Sequence, residues 1–243
     1  MKVVVTGGGT TAPIDDVRVI TNVSTGRTAA AITECCLDRG AEVWHIHAPS
    51  AQLPYLRSAG FDLDAPDPRL EHERLDRLQS RRRAAGDRLH LRPLKIGTVA
   101  EYAAALRSVL TTEAVDLVFL PMAVSDYEPV PLEGKISSKR EDLSIACRRT
   151  PKVIRSVRDW APSVYLVGFK LLSNATPDDL IRQAHDASLI NRADLTVAND
   201  LSDVKAGRQT LYLVRPGRPT VVLEPGADLA ERLVERVWEW AAR

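Results

Sequence analysis

The chain has 243 residues, 44% of them hydrophobic and 27% charged, with a formal net charge of +1. This length buries a full core without disulfides or a structural metal, and the composition excludes a disordered chain. A near-neutral balance supplies no global field towards nucleic acid or a membrane surface, so neither is expected as a partner.

Met1-Lys2 leads directly into Val3-Val4-Val5, an apolar run too short for a secretory leader. No stretch approaches membrane-spanning length, and a cytoplasmic protein is expected. Val3 to Val5 followed by Thr6-Gly7-Gly8-Gly9 predicts a buried strand ending in a tight turn. A helix is expected from about Ser24 to Arg39, closed by Gly40. It contains Cys35 and Cys36, neighbours with no metal-ligand spacing; with Cys147 they read as free thiols in a reducing compartment. Glu42 to His47 is the next strand.

From Pro49 to Pro93 the pattern weakens, with Pro54, Pro66 and Pro68 around a charged helical run at Leu70 to Ala85. This stretch is expected to be a surface insertion at about 49–93 in a single domain spanning 1–243. Within it, Leu89 to Leu94 resembles a strand. Thr98, with Glu101 three residues on, caps a helix reaching Thr111. Asp116 to Met122 is a further buried strand, and Tyr127 to Ala146 is expected to form a flap. Pro151 to Asp159 opens a helix, Val164 to Phe169 is a strand, and Thr176-Pro177 starts a helix to about Ile190. Leu195 to Ala198 is a strand. Leu211 to Val214 and Thr220 to Leu223 make a hairpin, and a terminal helix runs from Ala227. The alternation predicts an α/β fold: a Rossmann-like, mostly parallel sheet with helices on both faces and a flap hairpin.

Gly7-Gly8-Gly9-Thr10-Thr11-Ala12 fits G-x-G-x-x-A after a strand, the form that brings backbone amides close to a phosphate. A tight turn with no ligand would use the same glycines. A dinucleotide fingerprint is disfavoured on two counts. The helix is delayed to Ser24, and the second strand ends in His47-Ala48-Pro49 without an acidic residue for a ribose. Asn22-Val23-Ser24-Thr25-Gly26-Arg27 is a second phosphate-competent feature or an ordinary serine cap.

These blocks together resemble the phosphopantothenate–cysteine ligase family. The resemblance rests on Thr6 to Thr10, then Pro13-Ile14-Asp15, Val17-Arg18, Ile20, Asn22 and Ser24-Thr25-Gly26. It continues in order through Ala123-Val124-Ser125-Asp126-Tyr127, Lys135-Ile136-Ser137-Ser138, Thr150-Pro151-Lys152-Val153-Ile154, Val167 to Leu171, and Ala193 to Asp200. It implies the stand-alone form of the ligase, since no flavin-dependent decarboxylase domain precedes these blocks. It also implies a two-step reaction in coenzyme A biosynthesis. CTP or ATP activates the carboxylate of 4'-phosphopantothenate as an acyl-nucleotide, and the amine of cysteine then displaces the nucleoside monophosphate. Magnesium (Mg2+) is implied as the triphosphate's counterion, and a homodimer as the assembly.

The resemblance assigns Asn22 to the acyl intermediate, Arg18 to the substrate phosphate or carboxylate, and the flap's Lys135 to the nucleotide and intermediate. Ala123 joins Arg18 and Asn22 at the substrate. Gly8, Gly9, Ser24, Gly26, Asp126, Pro151, Lys152, Val153, Ile154, Phe169 and Asn199 are assigned to the nucleotide. Residue by residue, the bland alternatives are a turn Asn22, a solvated Arg18 or Lys135, a capping Asp126 or Asn199 and a core Phe169; the resemblance favours the functional reading of Asn22, Arg18, Lys135 and Asp126. His45 and His47 share a strand face without a third ligand, so no metal site is expected. Arg81-Arg82-Arg83 reads as a solvated helix face.

The chain departs from the family pattern at Ala29, where many members have glycine, and at Ala187 and Asn191, where bacterial fusions carry two nucleotide-binding lysines. Lys170, Arg182, His185 and Arg192 are the nearby cations that would replace them. The rival expectations are a same-fold ligase acting on another carboxylate, a nucleotide-binding protein without catalysis, and an NAD(P) oxidoreductase.

Overall fold

The computed structural model describes residues 1–137, 139 and 141–242. Strand β1 (Lys2–Gly7) is the expected buried strand, with Val3, Val4 and Val5 fully enclosed. The next stretch is more ordered than a loop: β2 (Thr11–Pro13) and β3 (Val19–Thr21) pair as a short antiparallel ribbon. Helix α1 (Arg27–Asp38) starts three residues later than the sequence predicts. Gly26 precedes it at φ 74°, a left-handed geometry through which a right-handed helix cannot be extended backwards. Ser24 is therefore not its cap. At the other end Gly40, at φ 81°, closes the helix as expected, its amide returning to the Leu37 carbonyl at 2.9 Å.

β4 (Glu42–His47), the exposed helix α2 (Pro68–Ala85) and β5 (Leu89–Pro93) follow. The expected insertion needs correction at its end. β5 is part of the main sheet, pairing parallel with β4 from Val43↔Leu89 to His47↔Pro93. Helix α2 is the crossover that joins them, too charged for its pattern to look like a core element. α3 (Val99–Thr112) carries the predicted capping box of Thr98 and Glu101. Next come β6 (Leu117–Leu120), the ribbon β7 (Tyr127–Pro129) with β8 (Cys147–Arg149), and α4 (Val153–Trp160). The chain closes with β9 (Tyr165–Leu172), α5 (Pro177–Asn191), β10 (Leu195–Asp200), the short α6 (Leu201–Lys205), the hairpin β11 (Leu211–Val214) and β12 (Val221–Leu223), and α7 (Leu229–Ala241).

The main sheet has eight strands in the order β12-β11-β10-β9-β6-β1-β4-β5. All pairs from β10 to β5 are parallel, and the terminal hairpin adds antiparallel strands at one edge. Strand alternation divides the core between the faces. Val3, Val5, Phe119 and Val167 pack with α1 and α7, whereas Val4, Val118 and Leu166 pack with α3 and α4. Each such enclosed side chain contributes roughly 1.5–3 kcal/mol. Chain order reverses between β1 and β6, which opens a crevice at their carboxyl ends, the place where open α/β sheets gather ligands.

No helix among the described residues is long and apolar enough to cross a membrane. The cysteines are free, and burial raises the Cys35 thiol to about 11.

Candidate active site

The turn after β1 is stitched to the segment after β6. Ala123 donates its amide to the Gly8 carbonyl at 2.9 Å, and Thr10 donates to the Ala123 carbonyl at 3.0 Å. The Ser125 amide reaches Thr10 Oγ1 at 2.9 Å, and the Asn22 amide reaches the Thr10 carbonyl at 3.3 Å. Gly9 is required by this closeness, since a Cβ there would lie 2.1 Å from the Asn22 carbonyl oxygen. Gly8, at φ 91°, would place one 2.7 Å from the Ala48 methyl, and Gly26 would place one 2.9 Å from the Ala51 methyl. Packing against the loop after β4 thus accounts for these glycines. The methyl of Ala29 likewise fills the space over Gly7, where a Cβ would meet it at 2.7 Å.

Asn22 is half-buried, and its side chain makes no hydrogen bond to the described residues. Ser24, relieved of capping, is half-buried in the same loop. Arg18 is held by a residue without an assigned role, Asp15. One Asp15 oxygen accepts the amides of Val17 at 3.0 Å and Arg18 at 2.7 Å. The other accepts Arg18 Nη1 at 2.6 Å and the Ile136 amide at 3.0 Å. The Ile136 amide foremost, then those of Val17 and Arg18, hold the Asp15 carboxyl at about 2 against the opposing effect of burial. Ile136 follows Lys135, whose side chain is exposed. Ser138 of the same block lies outside the described residues.

A cavity of about 440 Å³ opens between α4 and α5 at the ends of β6 and β9, within the size range of small-molecule sites. Asp126, Pro151, Lys152, Val153, Ile154 and Phe169 all line it. Thr150 couples it to the switch point by donating its amide to the Asp126 carbonyl at 3.0 Å and its hydroxyl to the Ser125 carbonyl at 2.5 Å. Lys152 forms an ion pair with Asp126. Ala187 and Asn191 line the α5 wall, together with Gln183 and Asp186. The cations of this cavity are Lys152, Arg155 and Lys170, all from the α4 and β9 side. Of the expected replacements only Lys170 is there. Arg192 pairs with Asp159 at 2.8 Å, while Arg182 and His185 line a different groove with Arg215 and Arg218.

Asn199 does not line the cavity. It is buried at the end of β10, where the neighbouring Asp200 caps α6. His45 is a core histidine: Nδ1 faces Thr33 Oγ1 at 2.8 Å, and burial lowers its pKa to about 3. Arg81 is spoken for by Asp38 at 2.6 Å. No group of three metal-ligating side chains occurs among the described residues. Sequence reading missed Asp15, although it sits inside a quoted block, and it missed Gln183 and Asp186, which only the packing of α5 brings to the cavity.

Comparison with known proteins matches residues 1–59 and 85–239 to the DNA/pantothenate metabolism flavoprotein C-terminal domain; the break falls on α2 and the loop before it. Phosphopantothenate–cysteine ligase 2 of Oryza sativa subsp. japonica is 31% identical, over 98% of this chain and 79% of its own. The coenzyme A biosynthesis bifunctional protein CoaBC of Thermococcus kodakarensis is 29% identical over 98% of this chain, which spans 50% of that longer protein. The solved DNA/pantothenate metabolism flavoprotein of Streptococcus pneumoniae superposes with a TM-score of 0.77 at 29% identity, covering 99% of each chain.

Proposed function

We infer the activity from a membership: the chain belongs to the family of the DNA/pantothenate metabolism flavoprotein C-terminal domain, and within it to the phosphopantothenate–cysteine ligases. It joins 4'-phosphopantothenate to cysteine in coenzyme A biosynthesis. The observation that carries this reading is the continuous hydrogen-bonded ledge from Gly8 through Ala123, Ser125 and Asp126 to Thr150, which puts an uncommitted Asn22 at one end and the cavity at the other.

The chemistry needs such a ledge. A carboxylate is a poor electrophile until one of its oxygens leaves as part of a phosphate ester. In the first step a substrate carboxylate oxygen attacks the α-phosphorus of a nucleoside triphosphate and pyrophosphate departs. In the second, the cysteine amine attacks the acyl carbon and the nucleoside monophosphate departs with the C–O bond electrons. The base occupies the apolar part of the cavity against Phe169, and Asp126 holds the ribose. The chain beyond it runs along the ledge towards Asn22, whose amide donates to the acyl oxygen as charge develops there. Arg18 holds the anionic acid and Lys135 the phosphates. Asp126 and Asp186 are the carboxylates at the cavity, a set that suits an ion arriving on its nucleotide rather than a resident one. Magnesium would offset triphosphate charge there.

CTP and ATP are both proposed as activating nucleotides. A homodimer is proposed through the ribbons β2–β3 and β7–β8, around which Val17, Val19, Val23, Val130 and Leu132 stand exposed. A cytoplasmic location is proposed with it. The test is a matrix of CTP and ATP against phosphopantothenate, with and without cysteine, read by pyrophosphate release and product mass. Acid-dependent pyrophosphate release and a cysteine-dependent amide are expected. Turnover of a related acid alone, or nucleotide binding without release, would replace this reading.

A further inference from the structure

Two of the side chains given roles above, Arg18 and Lys135, lie far apart in sequence on different ribbons. One carboxylate joins the Arg18 side chain to the backbone next to Lys135. The Asp15 side chain is enclosed, and its two oxygens do different work. Oδ1 closes a local turn by accepting the amides of Val17 and Arg18. Oδ2 reaches across 121 residues to the Ile136 amide, and accepts Arg18 Nη1 as well. Arg18 Nη1 also donates to the Ile136 carbonyl at 3.2 Å, so carboxylate, guanidinium and peptide unit form a closed triangle. Two backbone bonds flank it, Leu132 to the Ile14 carbonyl at 3.0 Å and Asp16 to the Gly134 carbonyl at 3.1 Å. Lys135 is the residue between these anchors.

We propose that Asp15 is a positioning residue that fixes the Arg18 guanidinium and the Lys135-bearing flap in one frame, so that the acid and the activated phosphate meet in register. The proposal rests on the ligase reading for the roles of Arg18 and Lys135. Four donors converge on this carboxylate, and an ionised carboxylate has acceptor sites for all of them. An asparagine does not. In Asp15→Asn the single carbonyl oxygen serves the turn amides, and the NH2 group faces the Ile136 amide and the guanidinium, donors against donors. The variant therefore keeps the turn and cuts the bridge. Asp15→Ser does the same by another route, since a serine hydroxyl supports such a turn but is too short to span to the flap.

The test compares the wild type with Asp15→Asn, and with Asp15→Ser should the first fold poorly, by three readouts. Amide hydrogen exchange at Ile136 is expected to speed up at least 10-fold in the variants, with little change in the β1 and β6 amides. The kcat for acid-dependent pyrophosphate release is expected to fall about 10- to 100-fold, the range of a lost charged hydrogen bond. Affinity for the free nucleoside, which lacks the phosphates that Lys135 would hold, stays within about threefold, because Asp15 is not among the residues lining the α4–α5 cavity. In a double-mutant cycle with Arg18→Ala the losses are expected to be less than multiplicative, since Asp15 acts through Arg18. Faster Ile136 exchange with unchanged kcat would overturn the proposal, as would multiplicative losses with Ile136 still protected. Absence of pyrophosphate release by the wild type would instead remove the ligase reading, while the exchange data still report on the clamp.

Discussion

The turn after β1 and the cavity between α4 and α5 share one ledge but are built in opposite ways. In the turn the space beside each glycine is already taken, by the Ala48 and Ala51 methyls and by the carbonyl of Asn22. In the cavity, side chains from three helices and two strands leave about 440 Å³ free, and Lys152 is paired with Asp126. Substitution in the first region acts on the fold. In the second it acts on the ligand. Asn22 tests the boundary, because its backbone belongs to the turn while the ligase reading gives its amide to the ligand.

Asn22→Ala should give the largest effect. Loss of one donor to a developing oxyanion costs about 2.7–4 kcal/mol, so amide formation should slow about 100- to 1,000-fold with the unfolding midpoint little changed. Single-turnover rates for pyrophosphate release and amide formation check this; equal losses in both steps would remove Asn22 from the acyl oxygen. Gly9→Ala is the converse. Its methyl would lie 2.1 Å from the Asn22 carbonyl oxygen, and forced repacking of this kind costs about 1–3 kcal/mol. Denaturant unfolding should show that loss, and wild-type stability would erase the contrast between the two regions. Phe169→Ala should weaken nucleotide binding about threefold to tenfold, corresponding to an aromatic contact of about 0.5–1.5 kcal/mol. Titration calorimetry with ATP and CTP reads it, and unaltered affinity would place the base elsewhere.

A further effect is in acid. His45 lies beneath the turn, within 3.5 Å of where a Gly7 side chain would begin, and its folded pKa of about 3 is far below the ordinary 6.5. Below pH 6.5 the unfolded chain takes a proton that the folded one refuses, so stability present at neutral pH declines as the pH falls towards 3. Melting curves between pH 7.5 and 5 should show this slope, and His45→Gln should flatten it. Asp15 works lower. Its carboxyl is depressed from 3.8 to about 2, so its contribution is complete above about pH 4 and lost as the pH falls through 2.

The alternation of elements was legible because β1 and β6 carry continuous apolar runs, and because Thr98, Thr176 and Gly40 mark helix ends with specific chemistry. The edge strand β5 was harder to place, since its own residues are mostly exposed and a charged helix precedes it. The start of α1 was misread because Ser24 offers a cap by its side chain, whereas the left-handed backbone of Gly26 two residues on sets the start. At the candidate site, Asp126, Phe169 and the Pro151 to Ile154 segment were readable as a resemblance and are gathered on one cavity. Asn199 has an equally good motif but is buried at the end of β10 and does not line that cavity. Asp15 was invisible as a hub because its decisive partner, the Ile136 amide, is 121 residues away and belongs to a main-chain group with no side-chain signature.

Both free margins of the main sheet are poor templates for another strand. On one side β12 is only three residues long, and on the other β5 carries His90 and Arg92 and ends at Pro93, which has no amide to donate. In concentrated solution this chain should therefore resist strand-to-strand aggregation even while folding slowly through a parallel sheet.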